Sequence, residues 1–365
     1  MKITKIDVFP LTIPLKGCFR NAHAAKTNQN SIVLRVLADE GVVGVGNVDP
    51  DPGYSEESFS ETLSTARRLA PKLVGLDPLN ITSALERMDQ LVQGRLDAKA
   101  AIEMALFDLK GKALRVPVHS LLGGTLREEL SLNGWIGMVD PQEAAREAIG
   151  WLEAGFRSAK IKVGSGVEQD RDRVKAVREA VGEKMALRVD ANEAYAVDDA
   201  IRLAKALYPL HISLFEQPVS RHDLNGMARV RKAVEIPVMA DEAILGPETL
   251  IEVINKEAAD IVKVKVMKQG GIYRTVQMIQ IAEAAGLKCV IGHGFGLAIN
   301  TLAEIHVAAS CRNILEGCEF VGPLKIQKDV VKEPLRMEGG KIKVPQQSGL
   351  GAELDEEKLK ECLLT

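Results

Sequence analysis

From about Leu130 the chain repeats one pattern, in which a short apolar strand-like segment is followed by an amphipathic helical stretch. We count eight strand-like segments: LSLNGWIGM, SAKIKVG, MALRVDANEAY, ISLFEQPV, IPVMADEAI, ADIVKVKVMKQGG, KCVIGHGFG and NILEGCEFVGPL. Strands that alternate with helices indicate a parallel sheet, and eight units favour a closed (β/α)₈ barrel. An open doubly wound sheet is the rival, but its GxGxxG fingerprint is missing, since GVVGVG at Gly41–Gly46 has another spacing and follows a hairpin-like turn. The predicted fold class is therefore α/β, with a TIM-like barrel.

The segments on either side of the barrel predict a second, smaller unit. Residues 1–48 alternate like β-strands with a turn at ADEG, and helical periodicity then begins with Ser55 as the expected N-cap. We therefore interpret residues 1–125 as an α+β capping domain and residues 126–325 as the barrel that holds the catalytic site. Residues 326–365 contain a short strand pair and a polar helix, which we expect to pack back on the cap and complete it.

Charge and cysteine content narrow the class of partner. The formal net charge is −3, without a long basic or acidic block, so we expect neither a nucleic-acid partner nor an anionic membrane surface. Five widely spaced cysteines without a CxxC pair are typical of reduced thiols, and Pro10 and Pro14 interrupt the apolar N-terminal run. We therefore expect a cytoplasmic protein with a small-molecule substrate.

Acidic and basic residues recur at the ends of successive predicted strands, about one βα unit apart. The separations are 28, 26, 25, 24 and 28 residues between Lys162, Asp190, Glu216, Asp241, Lys265 and His293. The carboxyl ends of barrel strands converge on one face, so these side chains are expected to meet there. Three carboxylates with a lysine on each side would then form one site.

Three carboxylates suit a hard divalent cation such as Mg²⁺, with Mn²⁺ as an alternative. By strand parity Asn192 shares a face with Asp190 and is expected to assist the ligand shell. The competing interpretation is that these acids are N-caps of the helices that follow them. For all three on consecutive units, capping alone is the weaker explanation.

The lysines also come in pairs that share a strand face, Lys160 with Lys162 and Lys263 with Lys265. A surface position remains open for Lys263. A lysine base must be neutral, and a nearby metal, a second ammonium group and burial all lower its pKa from about 10.4. A lysine on each side of a metal-bound carboxylate predicts abstraction of the proton next to that carboxylate, with the metal stabilising an enediolate.

Five segments, AKIKVG, RVDANEAY, FEQPV, MADEAI and DIVKVKVMKQGGI, resemble the enolase superfamily and specifically its muconate lactonizing enzyme subgroup, in order and spacing. The resemblance implies Asp190, Glu216 and Asp241 as magnesium ligands and Lys162 and Lys265 as the acid/base pair. It also implies that Lys160 neutralises charge beside Lys162 and that cap loops around Phe19–Lys26 and Asp49–Tyr54 close over the substrate. Homo-oligomers, dimers or octamers, are a further expectation from this resemblance.

The residues that select the substrate are expected on the last two strands and in the cap, and those two strands depart from the family's usual patterns. IGHGFG lacks the acid that many racemases of the subgroup carry, and EGCEF lacks the DxD of dipeptide epimerases. Glu319 or Glu316 could replace that acid pair, but strand parity lets only one face the site. His293 is open to three interpretations: a third acid/base, a substrate hydrogen-bond donor or a packed core histidine. The other expected pocket residues are Phe295, Phe19, His23 and Tyr54.

Four functions therefore remain open. We expect a racemase or epimerase of an amino-acid derivative or another carboxylate. The alternatives are a muconate-type cycloisomerase, a syn dehydratase acting on a hydroxy acid, and, least favoured, a catalytically silent barrel that binds an anion. All but the last share the first proton abstraction.

Overall fold

A computed structural model describes residues 1–20 and 25–364 of the chain. The side chains of Cys18, Phe19, Arg20, Ala25 and Tyr54 lie outside that description. In the described residues, no helix is long and apolar enough to cross a membrane.

The N-terminal part is an antiparallel three-stranded sheet with helices packed against it. Its strands, in the order β1-β2-β3, are β1 Ile3–Arg20, β2 Ala25–Ala38 and β3 Val43–Val48. The helices that follow are α1 Pro52–Ser55, α2 Phe59–Leu73, α3 Ile81–Leu91, α4 Leu96–Leu114 and α5 Val118–Leu121. The predicted turn at ADEG joins β2 to β3, and these two strands pair antiparallel.

The prediction of Ser55 as a helix N-cap was wrong. Ser55 is the last residue of α1, and α2 is capped by Ser58, whose side chain accepts from the backbone of Glu61 while Glu61 accepts from the backbone N–H of Ser58. This reciprocal capping box satisfies two backbone N–H groups at the start of α2. Ser55 could not form such a box, because the residue three positions after it is Ser58 and not a glutamate or glutamine.

The glycines of GVVGVG serve close packing between β3 and α4. A Cβ atom on Gly44 would lie 2.0 Å from the carbonyl oxygen of Ala105, and one on Gly46 would lie 1.9 Å from that of Ala101. Only glycine allows the strand to approach the helix backbone this closely. The motif therefore has a packing role in the cap.

The barrel is a curled seven-stranded parallel sheet in the order β11-β10-β9-β8-β7-β6-β5. Its strands are β5 Gly134–Ile136, β6 Ser158–Lys162, β7 Ala186–Asp190, β8 Ile212–Glu216, β9 Val238–Ala240, β10 Ile261–Val264 and β11 Lys288–Ile291. Just before it, β4 Glu129–Ser131 pairs antiparallel with β12 Lys341–Lys343.

The eighth predicted strand is present only as isolated bridges that close the sheet. Ile314 bridges Cys289 of β11, and Cys318 bridges Leu132, immediately before β5. Between these contacts the backbone bends at Gly317, with φ +76°, where its carbonyl accepts from Arg188 at 2.8 Å. The prediction of a barrel with an N-terminal cap is thus confirmed, and the eighth strand segment of the barrel is irregular.

The remaining helices surround the sheet and lead into the C-terminal segment. They are α6 Pro141–Glu153, α7 Val167–Val181, α8 Val197–Leu207, α9 Leu224–Ala233, α10 Pro247–Asn255, α11 Ile272–Ala284, α12 Ala298–Ser310, α13 Gly322–Lys325 and α14 Glu356–Glu361. After α14 the chain pairs with β1, because Thr12 N–H donates to the Cys362 carbonyl and Leu364 N–H to that of Pro10, both at 2.9 Å. The division at residues 125 and 325 remains a prediction.

One face of the sheet changes from apolar to charged along its strands. Leu214, Met239, Ile261 and Val290 form a separate buried cluster on four neighbouring strands. Because side chains alternate, Glu216 follows Leu214 on that face and Lys263 follows Ile261. The apolar layer thus supports the charged layer at the carboxyl ends.

Candidate active site

The structure places the acids and lysines at the carboxyl ends of neighbouring strands. Lys160 and Lys162 lie on β6, Asp190 ends β7, Glu216 ends β8, Asp241 follows β9, Lys263 lies on β10 and Lys265 directly follows it. In the sheet register Lys162 pairs with Asp190, and Asp190 pairs with Glu216. The one-unit spacing therefore corresponds to lateral neighbours on one rim.

The three acids are not helix N-caps. The caps of α8, α9 and α10 are Ala196, Asp223 and Gly246. Asp190, Glu216 and Asp241 are instead at most 2% exposed. Burying three carboxylates is costly unless cations and hydrogen bonds compensate them, so this arrangement points to a charged site.

Two lysines of β6 compensate the first pair of acids. Lys160 Nζ lies 2.8 Å from Glu216 Oε2 and 3.1 Å from Asp190 Oδ2. Lys162 Nζ donates to Asp190 Oδ2 at 2.7 Å and to Asn192 Oδ1 at 2.5 Å. Asn192 therefore contacts the predicted base as well as its own neighbour Glu242, to which it donates at 2.8 Å.

Two further lysines surround the third acid. Lys265 donates to both carboxylate oxygens of Asp241 at 2.7 Å, and Lys268 donates to Asp241 Oδ1 at 2.8 Å. Lys268 is 1% exposed, yet it was missed in the sequence because it lies in the turn after β10, outside the one-unit spacing. Its position three residues after Lys265 was the available signal.

The acids differ in their protonation preferences. Burial raises the pKa of Glu216, and the adjacent Asp190 carboxylate adds to this, giving a pKa of about 8. Burial also raises that of Asp241, but Lys265 and Lys268 outweigh burial and hold its pKa well below the usual value. Burial lowers the pKa of Lys265, yet Asp241 and Glu242 raise it above normal overall. Asp241 and Lys265 thus hold each other in their charged forms, whereas Glu216 favours its protonated form.

Lys263 is not a surface lysine. It is 1% exposed, and its ammonium group contacts Glu319 and lies 3.4 Å from Glu216 Oε1. Glu319 also accepts from Lys160 at 2.5 Å and lies 3.4 Å from Arg188 Nη1. Both carboxylate oxygens of Glu319 are therefore engaged by cations of this chain.

The two glutamates of the eighth segment face opposite ways, as strand parity predicted. Glu319 is buried, whereas the side chain of Glu316 is exposed. Glu319 was predicted as one possible replacement for the missing acid pair that binds a substrate ammonium group. Glu319 lines the cavity and already has three cationic contacts within the chain, and its binding of a substrate ammonium group remains a prediction.

His293 is enclosed by polar partners. Its Nδ1 lies 2.6 Å from Glu304 Oε2, and its Nε2 lies 3.1 Å from Asn300 Nδ2. Both ring nitrogens thus have partners in the barrel wall. Of the three interpretations left open for His293, the packed histidine fits these contacts better, and its roles as an acid/base or a substrate contact remain hypotheses.

The cap meets the barrel near Phe295 through β2 and the loop before α1. Lys26 forms an ion pair with Asp51, and its ammonium group lies 5.7 Å from the Phe295 ring centroid. The backbone of Phe19 pairs with Lys26 in the β1–β2 register, and Tyr54 belongs to α1. The Phe19 and Tyr54 side chains lie outside the described residues, as does His23 entirely, so their predicted roles remain predictions.

One cavity lies at the carboxyl end of the barrel and contacts several of these lysines and acids. It is lined by Lys162 and Lys265 and also by Trp135 and Lys325, neither of which the sequence analysis singled out. Lys325 ends the short helix α13 and is only 6% exposed. A lysine inside the apolar run FVGPLKI was the signal that could have found it.

The donor chemistry of the rim fits a hard divalent cation. Asp190, Glu216 and Asp241 offer buried carboxylate oxygens, and in the described residues Glu242 Oε2 is buried with no hydrogen-bond partner. The described acids do not form a preassembled metal cage, because lysine ammonium groups stand among them. A bound cation would therefore compete with those ammonium groups for the same oxygens.

Family models match both parts of the chain. Residues 3–123 match the N-terminal domain of mandelate racemase and muconate lactonizing enzymes, and residues 143–358 match the enolase C-terminal domain-like family. The chain belongs to the mandelate racemase/muconate lactonizing enzyme family of the enolase superfamily. The resemblance inferred from the strand-end motifs is therefore confirmed.

Members of this family resemble the chain along almost its whole length. An N-succinyl-L-Arg/Lys racemase of Bacillus cereus is 36% identical, covering 99% of this chain and 98% of the relative. The crystal structure of that racemase superimposes with a TM-score of 0.96 at 35% identity, covering 100% of this chain and 99% of the other. Muconate cycloisomerase 1 of Pseudomonas putida is 34% identical over 92% of this chain and 91% of its own.

A dipeptide epimerase of Enterococcus faecalis gives a third comparison. Its crystal structure, complexed with Mg and the dipeptide L-Leu-L-Tyr, matches with a TM-score of 0.93 at 34% identity, covering 97% of this chain and 100% of the other. These similar family members are thus racemases, epimerases and cycloisomerases, all of them isomerases. The prediction of an isomerase is confirmed.

Proposed function

We propose that the protein is a Mg²⁺-dependent racemase or epimerase that removes and returns the proton next to the carboxylate of an amino-acid derivative. Lys162 and Lys265 are its two bases. The single observation that carries this proposal is that both lysines line one cavity from strands on opposite sides of the barrel.

The opposition follows from strand order. Lys162 ends β6 and Lys265 follows β10, with β7, β8 and β9 between them. In a ring closed by an eighth segment, four steps are half a turn, so the two ammonium groups approach a bound substrate from opposite faces. Two bases on opposite faces of a planar intermediate are what inversion at the α-carbon requires, because each serves one enantiomer.

The acids lie on the three strands between the bases, where Asp190, Glu216 and Asp241 would hold the Mg²⁺ ion. When bound, the ion supplies positive charge that stabilises an enediolate at the substrate carboxylate. Mn²⁺, which accepts the same oxygen ligands, is the alternative ion. Lys160 offsets negative charge beside Lys162, and Asn192 holds the Lys162 ammonium group in place.

The substrate class is supported by the relatives. The Bacillus cereus protein is named as a racemase of N-succinyl-arginine and N-succinyl-lysine, and the Enterococcus faecalis epimerase was crystallised with a dipeptide. Both ligands are amino-acid derivatives that carry a carboxylate next to an α-carbon. We further propose that the protein acts in the cytoplasm as a homo-oligomer, a dimer or an octamer.

A muconate-type cycloisomerase is the second candidate. It is favoured by the 34% identity to muconate cycloisomerase 1 of Pseudomonas putida over 92% of this chain. A lysine-lined cavity also suits a diacid substrate. The two functions differ in the fate of the same intermediate, which is reprotonated in one case and closed into or opened from a lactone in the other.

Proton exchange in D₂O distinguishes these functions. The purified protein is incubated with Mg²⁺ and a panel of N-acylated amino acids, dipeptides, hydroxy acids and muconolactone, and the α-proton is followed by NMR. Exchange from both enantiomers with loss of optical activity supports the racemase. A changed ring signal indicates cycloisomerisation, loss of water indicates a dehydratase, and no exchange from any member contradicts the proposal.

A further inference from the structure

Arg173 lies on α7, behind the cavity, and its guanidinium group joins the ends of two neighbouring strands. The side chain is 5% exposed. Its Nε donates to the carbonyl of Val139, in the loop after β5, at 2.6 Å, and its Nη1 donates to the carbonyl of Lys162, at the end of β6, at 3.2 Å. The same Nη1 pairs with Asp170, one turn earlier in α7. Arg173 therefore holds the backbone of a proposed base.

Asp170 fixes the loop that follows Lys162. Its Oδ2 accepts from the backbone N–H groups of Gly164 at 2.7 Å and Ser165 at 2.8 Å, while its Oδ1 pairs with Arg173. Arg173 Nη2 also donates to Ser165 Oγ at 3.3 Å. Asp170 is fully buried, and a buried carboxylate with several donors, one of them charged, is strongly held in place.

Tyr195 connects the same carboxylate to the loop after β7. Its hydroxyl group donates to Asp170 Oδ2, and it lies three residues after Asn192. Asn192 in turn accepts from the Lys162 ammonium group at 2.5 Å. Lys162 is thus held at both ends, its carbonyl by Arg173 and its ammonium group by the loop that Tyr195 anchors.

The three residues of this network lie on one side of the barrel. Arg173 and Asp170 belong to α7, and Tyr195 follows β7, next to β6, whereas Lys265 follows β10, three strands beyond β7. Loss of the Arg173 contacts should therefore displace one proposed base without displacing the other. A displacement of about 1 Å from the productive geometry can cost about a hundredfold in rate, so the two enantiomers should respond unequally.

We propose that Arg173 is a positioning residue for Lys162, acting through the Lys162 carbonyl and through Asp170. Arg173 is not among the described residues that line the cavity, so its effect reaches the substrate only through the base. It supports the enantiomer whose proton Lys162 removes and not the enantiomer that Lys265 serves. This inference rests on the proposed function, which it deepens by assigning a support to one of the two bases.

The variant Arg173→Lys tests the inference, because it keeps a positive charge beside Asp170 but loses the planar fork that reaches two carbonyls. The α-proton exchange of N-succinyl-L-lysine and of N-succinyl-D-lysine is followed by NMR in D₂O with Mg²⁺. Exchange from the enantiomer that Lys162→Ala also loses should fall at least about tenfold, and exchange from the other should stay within about twofold of the wild-type rate.

The matched control is Arg178→Lys, on the same helix. Arg178 is 9% exposed and also donates to backbone carbonyls, those of Gly182 at 2.6 Å and Met185 at 3.0 Å, but these residues precede β7 at the opposite end of the barrel. This variant loses a similar buried fork without touching Lys162. Both enantiomers should then exchange within about twofold of the wild-type rate, since the change lies far from both bases.

Chemical labelling gives a second readout that needs neither substrate nor metal. Ligand-free protein is treated with limiting acetic anhydride, and acetylation of Lys162 is measured by mass spectrometry relative to that of the exposed Lys72. The contact of Lys162 with Asp190 favours the charged form, which does not react. Loosening that contact in Arg173→Lys should speed acetylation of Lys162 at least about threefold, whereas Arg178→Lys should match the wild type.

Equal loss of exchange from both enantiomers in Arg173→Lys would overturn the inference and leave the two-base function in place. Unchanged exchange, or unchanged acetylation of Lys162, would overturn it as well. If the wild-type protein exchanges neither probe, the acetylation of Lys162 still decides whether Arg173 positions it. Failure of the proposed function appears instead as absence of exchange across the whole panel, so the two failures are distinguishable.

Discussion

Lys265 donates hydrogen bonds to both carboxylate oxygens of Asp241, each at 2.7 Å, although the residues are 24 positions apart in the sequence. The contact joins a proposed base to a proposed metal ligand. Because one carboxylate cannot fully satisfy an ammonium group and a divalent cation through the same lone pairs, a bound ion would compete with Lys265 for Asp241. In the proposed mechanism, binding of Mg²⁺ would therefore change the surroundings of the base.

Removing the charge of Asp241 should remove the stabilisation that Mg²⁺ provides. A ligand that binds only the folded state raises the free energy of unfolding, by about 2.7 kcal/mol at one hundred times its dissociation constant. We expect wild-type protein to melt at a higher temperature in Mg²⁺ than in EDTA, and Asp241→Asn to melt at the same temperature in both. Differential scanning calorimetry measures the shift.

The control for this experiment is Glu316→Gln, which removes an exposed carboxylate of the eighth segment. It should show the full shift. An Asp241→Asn variant that is stabilised by Mg²⁺ as strongly as the wild type would exclude Asp241 as a ligand.

The buried pair of Lys263 and Glu319 should be strongly coupled. Removing one member of a buried ion pair leaves an uncompensated charge, and each of Lys263→Met and Glu319→Gln should lower the free energy of unfolding by about 3 kcal/mol or more. The double variant should cost less than the sum, with a coupling energy above about 1 kcal/mol. Urea denaturation of the wild type, the two single variants and the double variant gives the coupling energy from a double-mutant cycle.

The exposed pair of Lys341 and Glu129, at 2.6 Å, is the control for that cycle. Its coupling energy should fall below about 1 kcal/mol, because water screens exposed charges. Strict additivity of Lys263→Met and Glu319→Gln would argue against the buried network.

His306 should make stability depend on pH. Its Nδ1 accepts from the backbone N–H of His119 at 3.3 Å, and its Nε2 donates to the Leu350 carbonyl at 3.2 Å, so the folded protein requires the neutral ring. Burial lowers the pKa of His306 from 6.5 to about 4. Between these values the unfolded chain binds a proton that the folded chain does not, so stability falls as the pH decreases from 6.5 toward 4.

The free energy of unfolding of wild-type protein should therefore drop by about 2 kcal/mol more than that of His306→Gln between pH 7 and pH 5. Urea denaturation at the two pH values measures the difference. His222→Gln, at an exposed histidine, should behave as the wild type does. Equal pH dependence in wild type and His306→Gln would show that this ring does not titrate as described.

Close packing of β3 on α4 predicts opposite effects for two glycine substitutions. Gly46→Ala places a methyl group 1.9 Å from the Ala101 carbonyl oxygen and should cost about 1–3 kcal/mol of stability. Gly150 lies exposed inside α6 with no atom near its added Cβ, so Gly150→Ala should stabilise by about 0.5–1 kcal/mol. Thermal unfolding of both variants measures these changes in stability. A Gly46→Ala variant as stable as the wild type would contradict the close packing of β3 on α4.

The fold could be predicted because its signals are local. Each βα unit carries its own hydrophobic period, and parallel order then places strand ends such as Asp190 and Glu216 side by side. The cap of α2 was misplaced because Ser55 and Ser58 both satisfy the local pattern, and only the capping box with Glu61 distinguishes them. The irregular eighth segment was not predicted, because its bend at Gly317 involves a hydrogen bond from Arg188. That residue lies 129 positions earlier in the chain, beyond the reach of a local pattern.

The site was predicted only where residues follow the repeat. Lys162 and Lys265 lie at strand ends and share its spacing. Lys268 and Lys325 lie in a turn and in a short helix, and their approach to the site depends on how those segments fold back. Lys263 is buried against Glu319, which lies 56 positions later in the sequence. No local sequence pattern therefore reveals that Lys263 is buried.

The most direct test of the central claim is enantiomer-specific α-proton exchange by the two lysine variants. With Mg²⁺ and a substrate identified from the panel, wild-type protein in D₂O should exchange the α-proton of both enantiomers. Lys162→Ala should lose exchange from one enantiomer and Lys265→Ala from the other, each by at least about a hundredfold, because the remaining base reaches only one face. If either variant still exchanges both enantiomers at wild-type rates, or if both variants lose the same one, the two-base account is wrong.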